Sequence, residues 1–386
     1  MTPAARVAAA IAVLDAVADG LAAEQALTRW GRQNRYAGSK DRAAVRDHVF
    51  DALRVRASAQ WLGSGLTGRA MMIGLMRHQG ADPEETFTAE GYAPTPLTPE
   101  ERAFSPEPMT QADRWNIPDW LMKHFSDSLG DAAQTTADLL QQRAPVTVRA
   151  HRRRTTRSDI LSLLRAEGIE AYENDLSENA ITLGDGARKL RNTNVYQSGL
   201  VELQDAASQA VVDALPHAFN CLDFCAGGGG KALALAAQNA RRVSAHDANP
   251  NRMKDLSARA TRAGDTITQL TTAALADHAP FDLVLCDAPC SGSGAWRRAP
   301  EGKWALTQER LDELTETQFG ILQDAARLVA PQGVLAYATC SILTCENAEI
   351  VARFLNENTG WNCTYQKQFA VSEQGDGFYT AHLTAP

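Results

Sequence analysis

Apolar residues in the first eighty positions recur three and four apart, which is the spacing of one helix face. "AARVAAAIAVLDAVADG" predicts a helix stopped at Gly20, and "AEQALTRWG" one stopped at Gly31. "SKDRAAVRDHVFDALRVRASAQWLG" predicts a third, capped by Ser39 and ending near Gly63. Further on, "IPDWLMKHF" and "DAAQTTADLLQQR" read as helices, "PVTVRAH" as a strand, "TRSDILSLLRAEG" as a capped helix and "ENAITLGDG" as a strand and turn. From about Gln197 the pattern becomes an alternation of strand and helix. "FNCLDFCAGGGGKALALAAQNA" is strand, glycine turn, helix, and "RRVSAHDANPNRMKDLSARATRAG" repeats the unit. "FDLVLCDAP" and "GVLAYATCS" are short apolar runs of the kind found in central parallel strands. The prediction is an α/β, doubly wound sheet with its ligand at the carboxyl ends of the strands.

Four segments emerge from this pattern: a helical domain over 1–80, a linker over 81–114, a small α+β subdomain over 115–196 and an α/β catalytic domain over 197–386. The linker is assigned by its charge, with Asp82, Glu84, Glu85, Glu90, Glu100, Glu101, Glu107 and Asp113 among several prolines, and is expected to be solvated rather than packed. A chain of 386 residues is long enough for two or three domains. No signal-peptide or membrane-spanning pattern precedes the first helix, so a cytoplasmic protein with no membrane partner is expected. Seven cysteines, an odd number, read as thiols rather than a disulfide framework. Their spacing lacks paired histidines, so no metal is expected.

The net charge of −8 conceals a division. Residues 1–80 are basic, and "RAPVTVRAHRRRTTR" carries Arg143, Arg149, Arg152, Arg153, Arg154 and Arg157 with no acid. Such a run is either a solvated face or a patch for phosphates, and the second reading is preferred because local potential governs contact with a nucleic-acid backbone.

In "LDFCAGGGGKAL" a glycine turn joins a strand to a helix N-terminus, which suits a ligand laid over main-chain donors. It is not a Walker A loop, since Cys225 stands at the first glycine and Ala232 at the magnesium-binding hydroxyl. The next strand ends in Asp247, which either accepts from a ribose diol or caps the helix "NPNRMKDL" beyond it. A nucleoside cofactor without a required pyrophosphate, such as S-adenosylmethionine, fits the first alternative. Cys290 and Cys340 each end an apolar run, so both thiols are expected at strand tips beside that cofactor. A thiol so placed points to covalent catalysis. Methylation of a pyrimidine at carbon 5 needs it, because that carbon becomes nucleophilic only after a thiolate adds at carbon 6.

These residues resemble the RsmB/NOP (Sun/Fmu) RNA 5-methylcytosine methyltransferases. "FDLVLCDAPCSGSGAWRRAPEGKW" is similar to their fourth motif, "YATCSILTCENAEIVARFL" to their sixth, "GLVELQDAASQ" to the segment before the cofactor loop and "DGFYTAHL" to the closing strand. The first eighty residues, above all "AGSKDRAAVRDHVFDALR", resemble the NusB-type RNA-binding domain of the RsmB-like branch. The resemblance implies a Rossmann-like S-adenosylmethionine-dependent methyltransferase domain, a small α+β subdomain and an all-α NusB-like domain. It implies that Cys340 attacks carbon 6, that Cys290 assists loss of the carbon 5 proton and release, and that Asp287 and Lys231 lie at the reacting base. Cys225, Ala226, Gly227, Gly228, Gly229, Gly230 and Lys231, with Asp247, Arg252, Thr272 and Asp287, would hold S-adenosylmethionine. The family's loop usually reads Cys-Ala-Ala-Pro-Gly-Gly-Lys, whereas Gly227 and Gly228 replace its Ala-Pro pair here, and Thr272 stands where an acid usually follows the third strand. No role attaches to Cys286 or Cys345. The expected substrate is ribosomal RNA, the alternatives being transfer RNA or an idle RNA-binding assembly factor. No motif speaks to oligomeric state.

Overall fold

The structure, a computed structural model, describes residues 1–105, 107–238 and 242–386. Asn239 and Ala240, the end of the predicted helix after the glycine turn, and Arg241 lie outside the described residues, as does Pro106 of the linker. The chain divides into two units, residues 1–143 with 296–306 and residues 144–295 with 307–386.

The first unit is helical, as its periodicity predicts. Helices span Pro3–Ala18, Ala23–Gln33, Ser39–Arg54, Arg56–Leu62 and Gly68–His78. Their apolar stripes meet in a core that includes Val7, Leu14, Val45, Val49, Phe50, Leu53, Met72 and Ile73. The single long third helix expected from sequence is two helices, broken at Val55, and the helix Gly68–His78 comes after them. Residues 81–114 correct the expectation of a solvated linker. Phe87 and Leu97 are buried in the helical core. Glu101 pairs with Arg69 at 2.8 Å and closes a capping box on Thr98, and Glu84 pairs with Arg102. The acids are helix caps and arginine partners, and two apolar anchors are enough to pin the segment between them. Residues 296–306, assigned from sequence to the catalytic domain, belong to this unit. Arg54 Nε donates to the Arg297 carbonyl at 2.7 Å, and the Ala23 N–H donates to Glu301 at 2.6 Å.

The second unit holds two sheets, so the small subdomain's sheet falls in the same unit as the catalytic sheet. Strands β1 (Val146–Ala150), β2 (Ala171–Glu173), β3 (Ala180–Leu183) and β4 (Val201–Leu203) form an antiparallel sheet in the order β2-β3-β1-β4. The larger sheet contains β5 (Asn220–Asp223), β6 (Arg242–His246), β7 (Ile267–Leu270), β8 (Phe281–Asp287), β9 (Val329–Thr339), β10 (Asn362–Phe369) and β11 (Phe378–Thr384). Its order is β10-β11-β9-β8-β5-β6-β7, with β5 to β9 parallel and the last two strands antiparallel. Central strands Cys221–Leu222 and Leu283–Cys286 are wholly buried, which is why they read as unbroken apolar runs. Successive strands run outward from β5 to β7 and then restart on its other side at β8. The switch point therefore lies between β5 and β8, where a ligand crevice opens at the strand tips. Among the described residues no helix is long and apolar enough to cross a membrane.

Candidate active site

The turn after β5 is held by its own main chain. The Ala226 N–H donates to the His246 carbonyl and the Gly229 N–H to the Ala226 carbonyl, at 2.8 and 2.7 Å. Gly227 and Gly229 have φ of +53° and +80°, and a Cβ on Gly229 would stand 2.3 Å from Leu256 Cδ1. Only glycine satisfies both demands at position 229. The turn leads into the helix Gly230–Ala237, and the Arg149 side chain reaches the Gly230 carbonyl from β1.

Asp247, at the tip of β6, accepts the Gly227 N–H at 2.8 Å, the Asn249 N–H at 2.9 Å and Arg252 Nη1 at 3.1 Å. It fastens the glycine turn to the neighbouring strand tip, while Asn249 caps the short helical turn Pro250–Met253. Of the two readings of Asp247, helix cap is therefore the one its bonds disfavour. Thr272, just beyond β7, is exposed and bonds His246 Nε2 at 2.9 Å. His246 Nδ1 faces the Phe224 carbonyl at 2.7 Å, so that nitrogen is a donor. Cys225 is packed into the same turn, where burial pushes its thiol far above the ordinary value.

On the other side of the switch point, Asp287 ends β8 and accepts from Lys231 Nζ at 2.7 Å. Lys231 is 6% exposed and also lies 4.8 Å from the centre of the Phe378 ring. Burial works to strip its proton, but Asp287, and after it the Cys340 sulfur, outweigh burial and hold the ammonium above its ordinary pKa. Cys290 lies just past the tip of β8 and Cys340 just past the tip of β9, and their sulfurs are 3.4 Å apart. The hydrogen bond to Cys340, then burial, holds the Cys290 thiol well above its ordinary value. Either sulfur can donate to the other, and Lys231 lies near the Cys340 sulfur. The structure brings Cys290, Cys340, Lys231 and Asp287 together, and separately joins Gly227, Asp247 and Arg252.

Sequence reasoning missed two groups. Asp223, at the tip of β5, is fully buried and neither oxygen has a well-formed hydrogen bond. Burial first, and Asp287 next, push its carboxyl up to about 7. An acid inside the apolar run "CLDFC" was the available signal. The second group is Glu346, fully buried and bonded to both cysteine loops.

A family model described as 16S rRNA methyltransferase RsmB/F matches residues 211–384, and the ferredoxin-like domain of RsmF/B-like methyltransferases matches residues 117–188. The chain belongs to the RsmB/F methyltransferase family. Among similar proteins, the probable ribosomal RNA small subunit methyltransferase B of Bacillus subtilis is 33% identical over 252 residues. That match covers 62% of this chain and 56% of the Bacillus protein. The ribosomal RNA small subunit methyltransferase B of Klebsiella pneumoniae is 27% identical, with 89% of this chain and 90% of that protein covered. The crystal structure of PH0851 has the same fold, with a TM-score of 0.77 at 20% identity over 99% of each chain.

As an RsmB/F methyltransferase this chain uses S-adenosylmethionine. The residues present fit that group. Asp223 and Asp247 supply buried carboxylate oxygens at adjacent strand tips, one of them without partners of its own, and the Gly227–Gly230 turn exposes main chain that side chains would otherwise cover.

Proposed function

We propose that the chain methylates carbon 5 of a cytosine in ribosomal RNA through a covalent bond between Cys340 and carbon 6. The names of its relatives supply the RNA class. The single observation that carries the chemistry is the contact of two thiols at 3.4 Å beside an ion-paired lysine. One thiol can add and later leave, but elimination also needs a proton acceptor at carbon 5, and a second thiol in contact with the first can divide that work.

The bound cofactor supplies the methyl group as an electrophile. Lys231, held charged by Asp287, favours the thiolate of Cys340 over that of Cys290. As the Cys340 sulfur bonds carbon 6, the ring's electron pair moves to carbon 5, which becomes the nucleophile for the methyl group. Elimination then breaks two bonds: the carbon 5 proton passes by way of Cys290 to solvent, and the electron pair of the carbon–sulfur bond returns to Cys340. The base must stand clear of any stack, so an unpaired cytosine is the expected target.

The test is a pair of variants with an unpaired-cytosine RNA and S-adenosylmethionine. Cys290→Ala forms and methylates the adduct but does not release it, so a denaturation-resistant protein–RNA species accumulates. Cys340→Ala gives neither product nor adduct. An adduct in Cys340→Ala and none in Cys290→Ala reverses the roles, and no adduct in either removes the covalent mechanism.

A further inference from the structure

The distance between the thiols is not set by the cysteines themselves, because each sits in a loop beyond its strand. The group that joins the loops is Glu346, wholly buried on the turn before the helix Ala348–Glu357. One carboxylate oxygen accepts the Ser291 N–H at 2.7 Å and Gln318 Nε2 at 3.0 Å. The other accepts the hydroxyls of Ser291 and Ser341, the latter at 2.5 Å. Ser291 is next in sequence to Cys290 and Ser341 to Cys340, so one acid grips both cysteine loops one residue from each sulfur.

The serine hydroxyls around it are themselves held by main-chain donors. The Ile342 N–H donates to Ser293 Oγ and the Leu343 N–H to Ser341 Oγ, at 2.9 and 3.0 Å. Ser293 and Ser341 oxygens are 2.9 Å apart, and with the Ser341 hydroxyl donating to Glu346 the Ser293 hydroxyl is the one left to donate to Ser341. Four donors end on two oxygens, an arrangement that an acceptor-only carboxylate satisfies in full. A glutamine of the same shape would turn an N–H₂ toward two of those donors.

We infer that Glu346 is a positioning residue for the reaction, holding Cys290 and Cys340 in contact by clamping Ser291 and Ser341. This rests on the covalent reading proposed above. Addition needs Cys340 alone, whereas elimination needs both thiols around one ring, so loosening the clamp should slow release before it slows attack.

The spacing can be measured without RNA on the full chain. Phenylarsine oxide condenses with two adjacent thiols, forming two arsenic–sulfur bonds and releasing one water. The wild-type chain should take up one equivalent that Cys290→Ala does not. Glu346→Gln should fold and bind S-adenosylmethionine as the wild type does, yet capture the arsenical at least about tenfold more weakly. It should also turn over at least about tenfold more slowly, with covalent RNA adduct accumulating, as expected for an ångström-scale misplacement. Wild-type capture and turnover in Glu346→Gln overturn the inference. Weak capture by Glu346→Gln together with no RNA adduct in Cys290→Ala would leave the clamp standing and remove the covalent reading. If Glu346→Gln does not fold, Ser341→Ala, which removes one arm, decides: weaker capture supports the clamp and unchanged capture overturns it.

Discussion

The two sides of the switch point are built on opposite plans. Around β5, β6 and β7 the site consists of main-chain groups in a glycine turn and of acids, one of which, Asp223, has no partner of its own. Around the tips of β8 and β9, Glu346, Ser291, Ser293, Ser341, Asn347 and Thr339 bond one another in a closed network. A side that presents acceptors is suited to receive a donor-rich ligand. A closed side holds reacting atoms at fixed distance and leaves little to reorganise during reaction. On the proposed reading, binding belongs to one side and geometry to the other, and Lys231 is the residue that faces both.

Breaking that joint should have the largest effect. Lys231→Met keeps most of the apolar stem but removes the charge that faces both Asp287 and the Phe378 ring. Methyl transfer should fall roughly 10²- to 10³-fold, the usual scale for losing one preorganised electrostatic contact. Single-turnover kinetics with saturating cofactor will measure it. A loss below about threefold would remove Lys231 from the reaction and leave it as a buried ion-pair partner.

On the binding side, Asp247→Ala removes the tether of Gly227 and, on the proposed reading, an acceptor for the cofactor as well. Affinity for S-adenosylmethionine should drop about ten- to a hundredfold, as for a charged hydrogen bond of roughly 1.5–3 kcal/mol. The thiol contact should be untouched, so phenylarsine oxide uptake stays at the wild-type level. Calorimetry showing equal affinity would leave Asp247 as a tether only.

Asp223 sharpens the comparison through stability. Its folded pKa is raised from 3.8 to about 7, so the native state holds a proton that the unfolded chain releases. Native stability therefore falls as pH rises from about 4 to about 7 and is level above that, by an amount on the order of a few kcal/mol. Asp223→Asn should abolish this slope in the cofactor-free protein and be the more stable form above pH 7. Melting temperatures across the range check it; parallel curves would mean that Asp223 is already ionised in the folded chain.

The same physics decides how much of this was readable from sequence. The alternation of apolar runs and helices located β5, β6, β8 and β9, because fully buried strands leave an uninterrupted signature. Strands β2 and β10 went unread: Ala171–Glu173 is three residues long, and Asn362–Phe369 is mostly polar with an exposed side. Cys290, Cys340, Lys231 and Asp287 stand in motifs that carry a resemblance, so they were legible one by one. Glu346 was visible as part of a motif, but its grip on two loops 55 and 5 residues away is a property of the fold. Residues 81–114 misled because acidity was taken for solvation, when Glu101 and Glu84 have arginine partners.

The smallest effect is expected at the arginine run, where local charge density overstated what is available to RNA. Arg149 is buried against Gln204 and the Gly230 carbonyl, Arg143 pairs with Asp47 and Arg153 with Asp265. Arg154 donates to the Ser198 and Ala263 carbonyls, and Arg157 pairs with Glu173. Among the described residues Arg152 is the member of the run with an exposed side chain and no polar partner. One phosphate contact changes the slope of log affinity against log salt by about 0.7–0.9. Arg152→Ala should therefore weaken RNA binding only a few-fold at moderate salt and lower that slope by about one contact, while cofactor affinity and the thiol contact stay fixed. Arg153→Ala should do the reverse, leaving the slope alone and lowering the melting temperature, because it strips a cation from the buried Asp265 that also bonds His151. A salt titration of RNA binding for the two variants separates the outcomes: equal slopes in wild type and Arg152→Ala would make the whole run structural.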